Sequence, residues 1–158
     1  MNVSHTIVLP RIMEIGPEAC QKLPEVLRSL AATKPLIITD KMMVQLGYVD
    51  KIQTLLAAVG INADVFDDTV PEPTDSSITA GVARIQNGDY DVIIALGGGS
   101  PIDSAKAIAI LGKFGGEIRD YKFPRQVHES GVPIVAIPTT AGTGSEVTKF
   151  TIITDEAN

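Results

Sequence analysis

The chain has 158 residues, of which 44% are hydrophobic and 20% charged, and its formal net charge at pH 7 is −6. This length and balance suit one globular domain with a substantial core and exclude a disordered chain. The negative charge argues against a protein that reads the nucleic-acid backbone, yet it allows an anionic ligand, because backbone N–H groups can hold phosphates. No apolar run approaches the roughly 20 residues of a membrane span, and no secretory signal is recognisable. The single cysteine, Cys20, cannot form an internal disulfide, so we expect a reducing, cytoplasmic location.

Hydrophobic patterning predicts alternating strands and helices along the chain. Ahead of this unit, residues 6–9 and 12–15 are interpreted as a small hairpin or extended arm. Short runs that are apolar on both faces predict strands, at 35–39, 63–66, 91–96, 133–137 and 150–154. Apolar residues at helical spacing predict helices, at 17–30, 48–59, 75–87 and 101–111. Doubly apolar strands separated by helices indicate an α/β domain over residues 1–158, with a mostly parallel sheet covered on both faces.

A run of three glycines, Gly97, Gly98 and Gly99, leaves the predicted strand 91–96 and leads through Ser100 into the next helix. Glycines let the backbone approach a ligand closely, and a helix N-terminus attracts a diphosphate. The alternative is a tight strand–helix turn with no ligand, but three consecutive glycines at the end of a buried strand favour anion binding.

Two charged residues follow on the same helix, and both have an ordinary interpretation. Asp103 lies in the first helical turn, where the helix dipole favours an acid in any case. Lys106 is either a solvated helix side chain or a group near the ligand.

A second polar loop, residues 138–148, directly follows the predicted strand 133–137. It carries glycines and small hydroxyl groups, from Thr139, Thr140, Thr143 and Ser145. Such donors can bind ribose hydroxyls, an amide or phosphate oxygens. Alone it would pass for an ordinary connector, but two such loops at strand ends indicate one crevice.

An aspartate, Asp40, ends the first predicted strand. A carboxylate in that position typically holds an adenosine ribose diol and repels a 2′-phosphate. In the common dinucleotide fold this acid follows the glycine loop, whereas here it precedes the loop. Asp40 is therefore interpreted either as the ribose ligand or as the cap of the 41–45 turn.

Taken together, residues 97–107 and 138–148 resemble the two signatures of the iron-containing (group III) alcohol dehydrogenases, which include lactaldehyde reductase and 1,3-propanediol dehydrogenase. Thr39 and Asp40 match the place where NAD-preferring members carry an aspartate, and residues 70–74 resemble the family's loop near the adenosine. The similarity runs the length of the chain. It implies the Rossmann-like N-terminal domain of the two-domain fold shared with dehydroquinate synthase.

The resemblance implies hydride transfer between NAD(H) and a small alcohol or aldehyde, with a divalent metal polarising the substrate oxygen. Carried over by position, Gly98, Gly99 and Ser100 hold the pyrophosphate, and Asp40 favours NAD over NADP. Gly97 and Asp103 are counted among the candidate cofactor-binding residues as well. Thr139, Thr140 and Thr143 contact the cofactor, and Thr74 lines the adenosine pocket. One departure is Glu72, where relatives often have asparagine.

The family's metal ligands, one aspartate and three histidines, belong to a downstream helical domain that this chain lacks. Its two histidines, His5 and His128, have no ligand spacing and are interpreted as surface residues. We therefore expect the chain alone to hold no iron and to be inactive. Alternatives are a relative of glycerol dehydrogenase or maleylacetate reductase, a dinucleotide-binding module without chemistry, and a scaffold whose glycine loop is only a turn. The apolar arm at residues 7–9 suggests a dimer in which the arm pairs with a second subunit.

Overall fold

The computed structural model describes residues 9–125 and 127–156, and within them the chain forms four β-strands and five α-helices. The strands are β1 (Pro35–Ile38), β2 (Asp64–Phe66), β3 (Val92–Gly97) and β4 (Ile134–Pro138). The helices are α1 (Leu23–Ser29), α2 (Lys41–Gln45), α3 (Tyr48–Ala57), α4 (Asp75–Asn87) and α5 (Gly99–Phe114). No helix among these is long and apolar enough to cross a membrane.

The four strands form one parallel sheet in the order β2-β1-β3-β4. All residues of β1 and β3 are buried, which explains why these strands are apolar on both faces. Ile38 of β1 lies opposite Ala95 of β3, the last residue pair in their register. The predicted α/β class with a parallel sheet is confirmed.

Helices cover both faces of the sheet, and each face has its own hydrophobic core. Leu36 and Ile93 pack with α4 and α5, whereas Ile37 and Ile94 pack with α1 and α3. Alternate residues of a strand point to opposite faces, so each strand contributes to both cores.

The first predicted helix, 17–30, is only partly α-helical. Residues Ala19–Lys22 form a 3₁₀ turn, and α1 begins at Leu23. Pro24 stands at the start of α1, where its missing N–H is tolerated, but it could not donate an α-helical bond inside a longer helix. The helix predicted at 101–111 is instead longer, since α5 begins at Gly99 and reaches Phe114 before Gly115, whose φ is +70°.

The fifth predicted strand, 150–154, is wrong as a sheet strand. Its one ladder contact is an isolated bridge between Thr154 and Thr74. Phe150 and Ile152 are 75% and 79% exposed, because the segment runs over α5 and the start of α4 instead of pairing with the sheet. Of the N-terminal arm, residues 9–15 form no strand, and residues 1–8 lie outside the described part of the chain.

Candidate cofactor site at the carboxyl edge of the sheet

The strand order creates a crevice at the carboxyl ends of β1 and β3. The chain passes from β1 outward to β2 on one side, while β3 and β4 lie on the other side. Ligands of open parallel sheets bind outside such a reversal point, because the loops on either side of it diverge. Here Thr39 and Asp40 directly follow the end of β1 at Ile38, and β3 leads into the glycine loop at Gly97.

Asp40 lies beside the glycine loop although 57 positions separate the strand ends. Its Oδ1 accepts the Met43 N–H at 2.9 Å and so caps α2, which confirms the interpretation of Asp40 as a helix cap. The role of Asp40 as a ribose ligand stays a prediction. Its Oδ2 lies 3.7 Å from the position that a Cβ on Gly97 would occupy. Neighbouring strand ends, not chain order, therefore bring the acid to the loop.

The glycine loop is shaped for close approach of backbone. Gly97 has φ +144°, and a Cβ there would lie 2.7 Å from Pro101 Cγ, so a side chain is excluded. Gly98 is the N-cap residue of α5, where no side chain bonds the free N–H groups of the helix. Gly99 and Ser100 are the first two residues of the helix. Their N–H groups fall in the first turn, where helix geometry provides no intrahelical acceptor. These groups and the dipole of a 16-residue helix suit an anion.

The second loop lies directly against the first. The Thr139 N–H donates to the Gly97 carbonyl at 2.9 Å. A Cβ on Gly98 would be 3.2 Å from Thr140 Oγ1, and one on Gly99 would be 3.5 Å from Thr143 Cβ. The two polar loops therefore share one crevice, as predicted.

Ser145 belongs to this contact although the family resemblance does not select it. Its Oγ lies 3.4 Å from the position of a Gly99 Cβ, as close as the threonine side chain of the same loop. The signal in the sequence was its position within the small, hydroxyl-rich run.

Asp103 and Lys106 of α5 face the segment 148–154. The prediction that Asp103 lies in the first helical turn is wrong, because α5 begins at Gly99 and Asp103 falls beyond that turn. Lys106 Nζ donates to the Phe150 carbonyl at 2.7 Å and lies 3.3 Å from Asp103 Oδ1. Asp103 Oδ2 accepts the Ile152 N–H at 3.3 Å. Burial lowers the pKa of Lys106 below its usual value, although Asp103 and Glu146 oppose the shift. Both charges thus have partners within the protein, and a direct role of Asp103 toward a cofactor stays a prediction.

Thr74 caps α4. Its hydroxyl accepts the Ser77 N–H at 3.2 Å, and the Ser77 hydroxyl accepts the Thr74 N–H at 2.9 Å, a reciprocal capping box. Its contact with a cofactor also stays a prediction. In the preceding loop Glu72 has φ +50°, a left-handed conformation that asparagine adopts more readily than glutamate.

Within residues 9–125 and 127–156, no group of three or more His, Cys, Asp or Glu side chains comes close enough together to hold a metal ion. His128 is exposed, as expected for a surface residue, and Cys20 is exposed too. His5 lies outside the described residues. The chemistry of the donors described here therefore does not fit the family's metal site.

Comparison with known proteins agrees with this geometry. Residues 10–158 match the family model described as "Iron-containing alcohol dehydrogenase". Lactaldehyde reductase of Escherichia coli is 37% identical over 157 residues, which cover 98% of this chain and 41% of the reductase.

Two solved structures share the fold. A structure of 1,3-propanediol oxidoreductase superposes with a TM-score of 0.92 at 34% identity and covers 98% of this chain. Sulfoacetaldehyde reductase from Bifidobacterium kashiwanohense, solved in complex with NAD+, superposes with a TM-score of 0.86 at 26% identity and covers 99%. The chain spans 41% of the length of each. The match over almost its whole length shows that this chain belongs to the iron-containing alcohol dehydrogenase family.

Proposed function

We propose that this chain is the NAD-binding part of a metal-dependent alcohol dehydrogenase or aldehyde reductase that acts on a small primary alcohol or aldehyde. The observation that carries the proposal is that the Asp40 carboxylate lies beside Gly97, at the edge of the sheet where the strand order reverses. An acid for the ribose beside a glycine loop for the diphosphate is the combination with which α/β folds bind a dinucleotide.

The residues of the crevice divide the work of binding. Asp40 Oδ2 accepts hydrogen bonds from the adenosine ribose and disfavours a 2′-phosphate by repulsion. The N–H groups of Gly99 and Ser100 hold the diphosphate, and the small loops leave room for its close approach. The threonines of the second loop supply hydroxyl groups toward the rest of the cofactor. Bound NAD supplies the hydride acceptor for alcohol oxidation.

The NAD+ complex of the related sulfoacetaldehyde reductase supports this choice of cofactor. The metal is a separate matter, because the described residues offer no cluster that would hold it. We assign the metal ligands of the whole protein to residues outside this chain.

Titration of the purified chain with NAD, and separately with NADP, tests the proposal. Asp40→Asn is the informative variant, because asparagine keeps the oxygen that caps α2 but loses the charge. We expect the wild type to prefer NAD and Asp40→Asn to lose much of that preference. Gly98→Val should lose NAD binding, since its side chain would push against Thr140. The matched control is Asp50→Ala, which removes an exposed acid from the first turn of α3.

Different results would contradict the role of Asp40, the cofactor proposal and the assignment of the metal ligands. Equal NAD and NADP affinities in the wild type, or an Asp40→Asn variant that behaves like Asp50→Ala, would contradict the role of Asp40. A folded chain that binds neither dinucleotide would overturn the proposal for this chain. We also expect the chain alone to form no NADH from alcohols with added divalent metal, and turnover by it would contradict the assignment of the metal ligands.

A further inference from the structure

Two buried threonines lie beneath the crevice and have no place in the cofactor contacts described above. Thr39 is fully buried, and Thr69 is 7% exposed. Thr39 is the residue between the last paired residue of β1 and Asp40, and Thr69 lies in the loop after β2. A buried hydroxyl needs a hydrogen-bond partner, and the identity of that partner shows what the threonine holds in place.

The two hydroxyls connect three neighbouring chain segments. Thr39 Oγ1 donates to the Leu96 carbonyl of β3 at 2.7 Å. Thr69 Oγ1 donates to the Thr39 carbonyl at 2.7 Å. The backbone register of β1 and β3 ends one residue earlier, at Ile38 and Ala95, so a side chain makes the last bond between these strands.

The bond between the Thr39 hydroxyl and the Leu96 carbonyl lies immediately before the residues of the proposed cofactor site. The next residue after Thr39 is Asp40, and the next residue after Leu96 is Gly97, the first residue of the glycine loop. The hydroxyl therefore fixes the two backbones at the point where they diverge around the crevice. Loss of the donor would leave the Leu96 carbonyl buried without this partner, which the strand ends would relieve by moving.

We infer that Thr39 is a positioning residue, whose hydroxyl sets the separation between the Asp40 carboxylate and the glycine loop. Thr69 supports it from the side of β2. Thr39 thereby governs how well one molecule spans the ribose and diphosphate subsites at once. This inference rests on the proposed function, and it adds to it a residue that does not touch the cofactor.

The test compares Thr39→Val, which keeps the shape of threonine but lacks the donor, with Thr39→Ser, which keeps the donor. We expect Thr39→Val to weaken NAD binding about tenfold, or about 1.4 kcal/mol, and to reduce the preference for NAD over NADP. Thr39→Ser should stay near wild type. General destabilisation would not change that preference while the chain remains folded. Thr54→Val is the control, since Thr54 is an exposed residue in the middle of α3 and is not among the residues of the crevice.

A ligand-free measurement keeps the inference separate from the proposed function. Amide hydrogen exchange at Thr139 and Thr69, whose N–H groups bond the Gly97 and Thr39 carbonyls, should accelerate in Thr39→Val and not in Thr39→Ser. A wild type that fails to bind NAD would count against the proposed function. The exchange rates alone would then show whether the Thr39 hydroxyl holds the strand ends in place. Unchanged exchange and affinity in folded Thr39→Val, or equal losses in the serine variant, would overturn the inference. If Thr39→Val does not fold, Thr69→Val decides, with a smaller loss of affinity expected and an unchanged affinity overturning the inference.

Discussion

The ion pair between Lys106 and Asp103 fastens the segment 148–154 to α5, and Lys106→Met is expected to release it. Lys106 Nζ bonds the Phe150 carbonyl at 2.7 Å and Thr148 Oγ1 at 3.3 Å, besides Asp103. Asp103 in turn accepts the Ile152 N–H and, through its carbonyl, the Thr151 hydroxyl at 2.7 Å. Methionine keeps the apolar stem of lysine but provides none of these donors.

The size of the effect follows from burial. The side chains of Lys106 and Asp103 are 15% and 12% exposed. Removing one partner of a fully buried pair costs about 3–5 kcal/mol, because the other charge is left uncompensated. Residual contact with water reduces that penalty for Asp103, so we expect Lys106→Met to lower the free energy of unfolding by about 2 kcal/mol.

Urea unfolding followed by circular dichroism measures this loss, and hydrogen exchange at the Ile152 amide reports release of the segment. The double variant Asp103→Asn with Lys106→Met should be less destabilised than Lys106→Met alone, since no unpaired charge remains. Lys113→Met is the matched control, because this exposed lysine on the same helix bonds the Ser130 carbonyl and has no ion-pair partner among the described residues. The reasoning is refuted if Lys106→Met and Lys113→Met lose the same stability, or if the double variant is the worst of the three.

Two further predictions concern Asp91, which precedes β3, and Thr74, which caps α4. Burial tends to raise the pKa of Asp91, but hydrogen bonds from the Thr33 and Lys34 N–H groups prevail and hold it below the usual 3.8. A lowered folded-state pKa means that the carboxylate stabilises the fold above the unfolded-state pKa and loses this effect as the pH falls through the folded-state value. Asp91→Asn should therefore lower the free energy of unfolding by about 1–2 kcal/mol at neutral pH, and urea titrations should show the difference shrinking at pH values below 3.8. Thr74→Ala should lose about 1 kcal/mol through the missing α4 cap, measured by thermal unfolding, with Thr74→Ser close to wild type; an unchanged NAD affinity in the alanine variant would contradict the predicted adenosine contact.

The fully buried strands, β1 and β3, were the elements that the sequence predicted best. Every residue of β3 is buried, and its apolar run already predicted a strand at 91–96 that the structure places at Val92–Gly97. The two polar loops were also identifiable, because three consecutive glycines and a run rich in hydroxyl groups each follow directly on a predicted buried strand.

The segment 150–154 shows what patterning leaves open. Thr151 and Ile153 face the protein while Phe150 and Ile152 face outward, the alternation typical of a strand. Alternation shows only that one side of an extended chain is covered, not which element covers it. Here hydrogen bonds from α5 and the start of α4 replace the sheet as the partner.

The position of Asp40 beside the glycine loop depends on the topology of the sheet. Its distance along the chain from the glycine loop argued against a shared site, whereas the strand order makes β1 and β3 neighbours. Chain order alone does not contain this adjacency. The Thr39 hydroxyl bond was equally hidden, since nothing in the sequence shows where two strands stop pairing.

The central place of β1 has a consequence for how the chain folds as it is synthesised. β1 emerges early, but one of its two partners, β3, follows more than fifty positions later, as the separation of 57 between Thr39 and Leu96 illustrates. Until then the nascent chain exposes an apolar strand with an open edge, a state prone to aggregation and to occupation by chaperones. Closing the long loop between β1 and β3 before these two strands can pair also slows folding. Translation pauses or truncations before residue 97 should therefore trap the nascent chain in an aggregation-prone state, whereas those after β4 leave the sheet free to assemble.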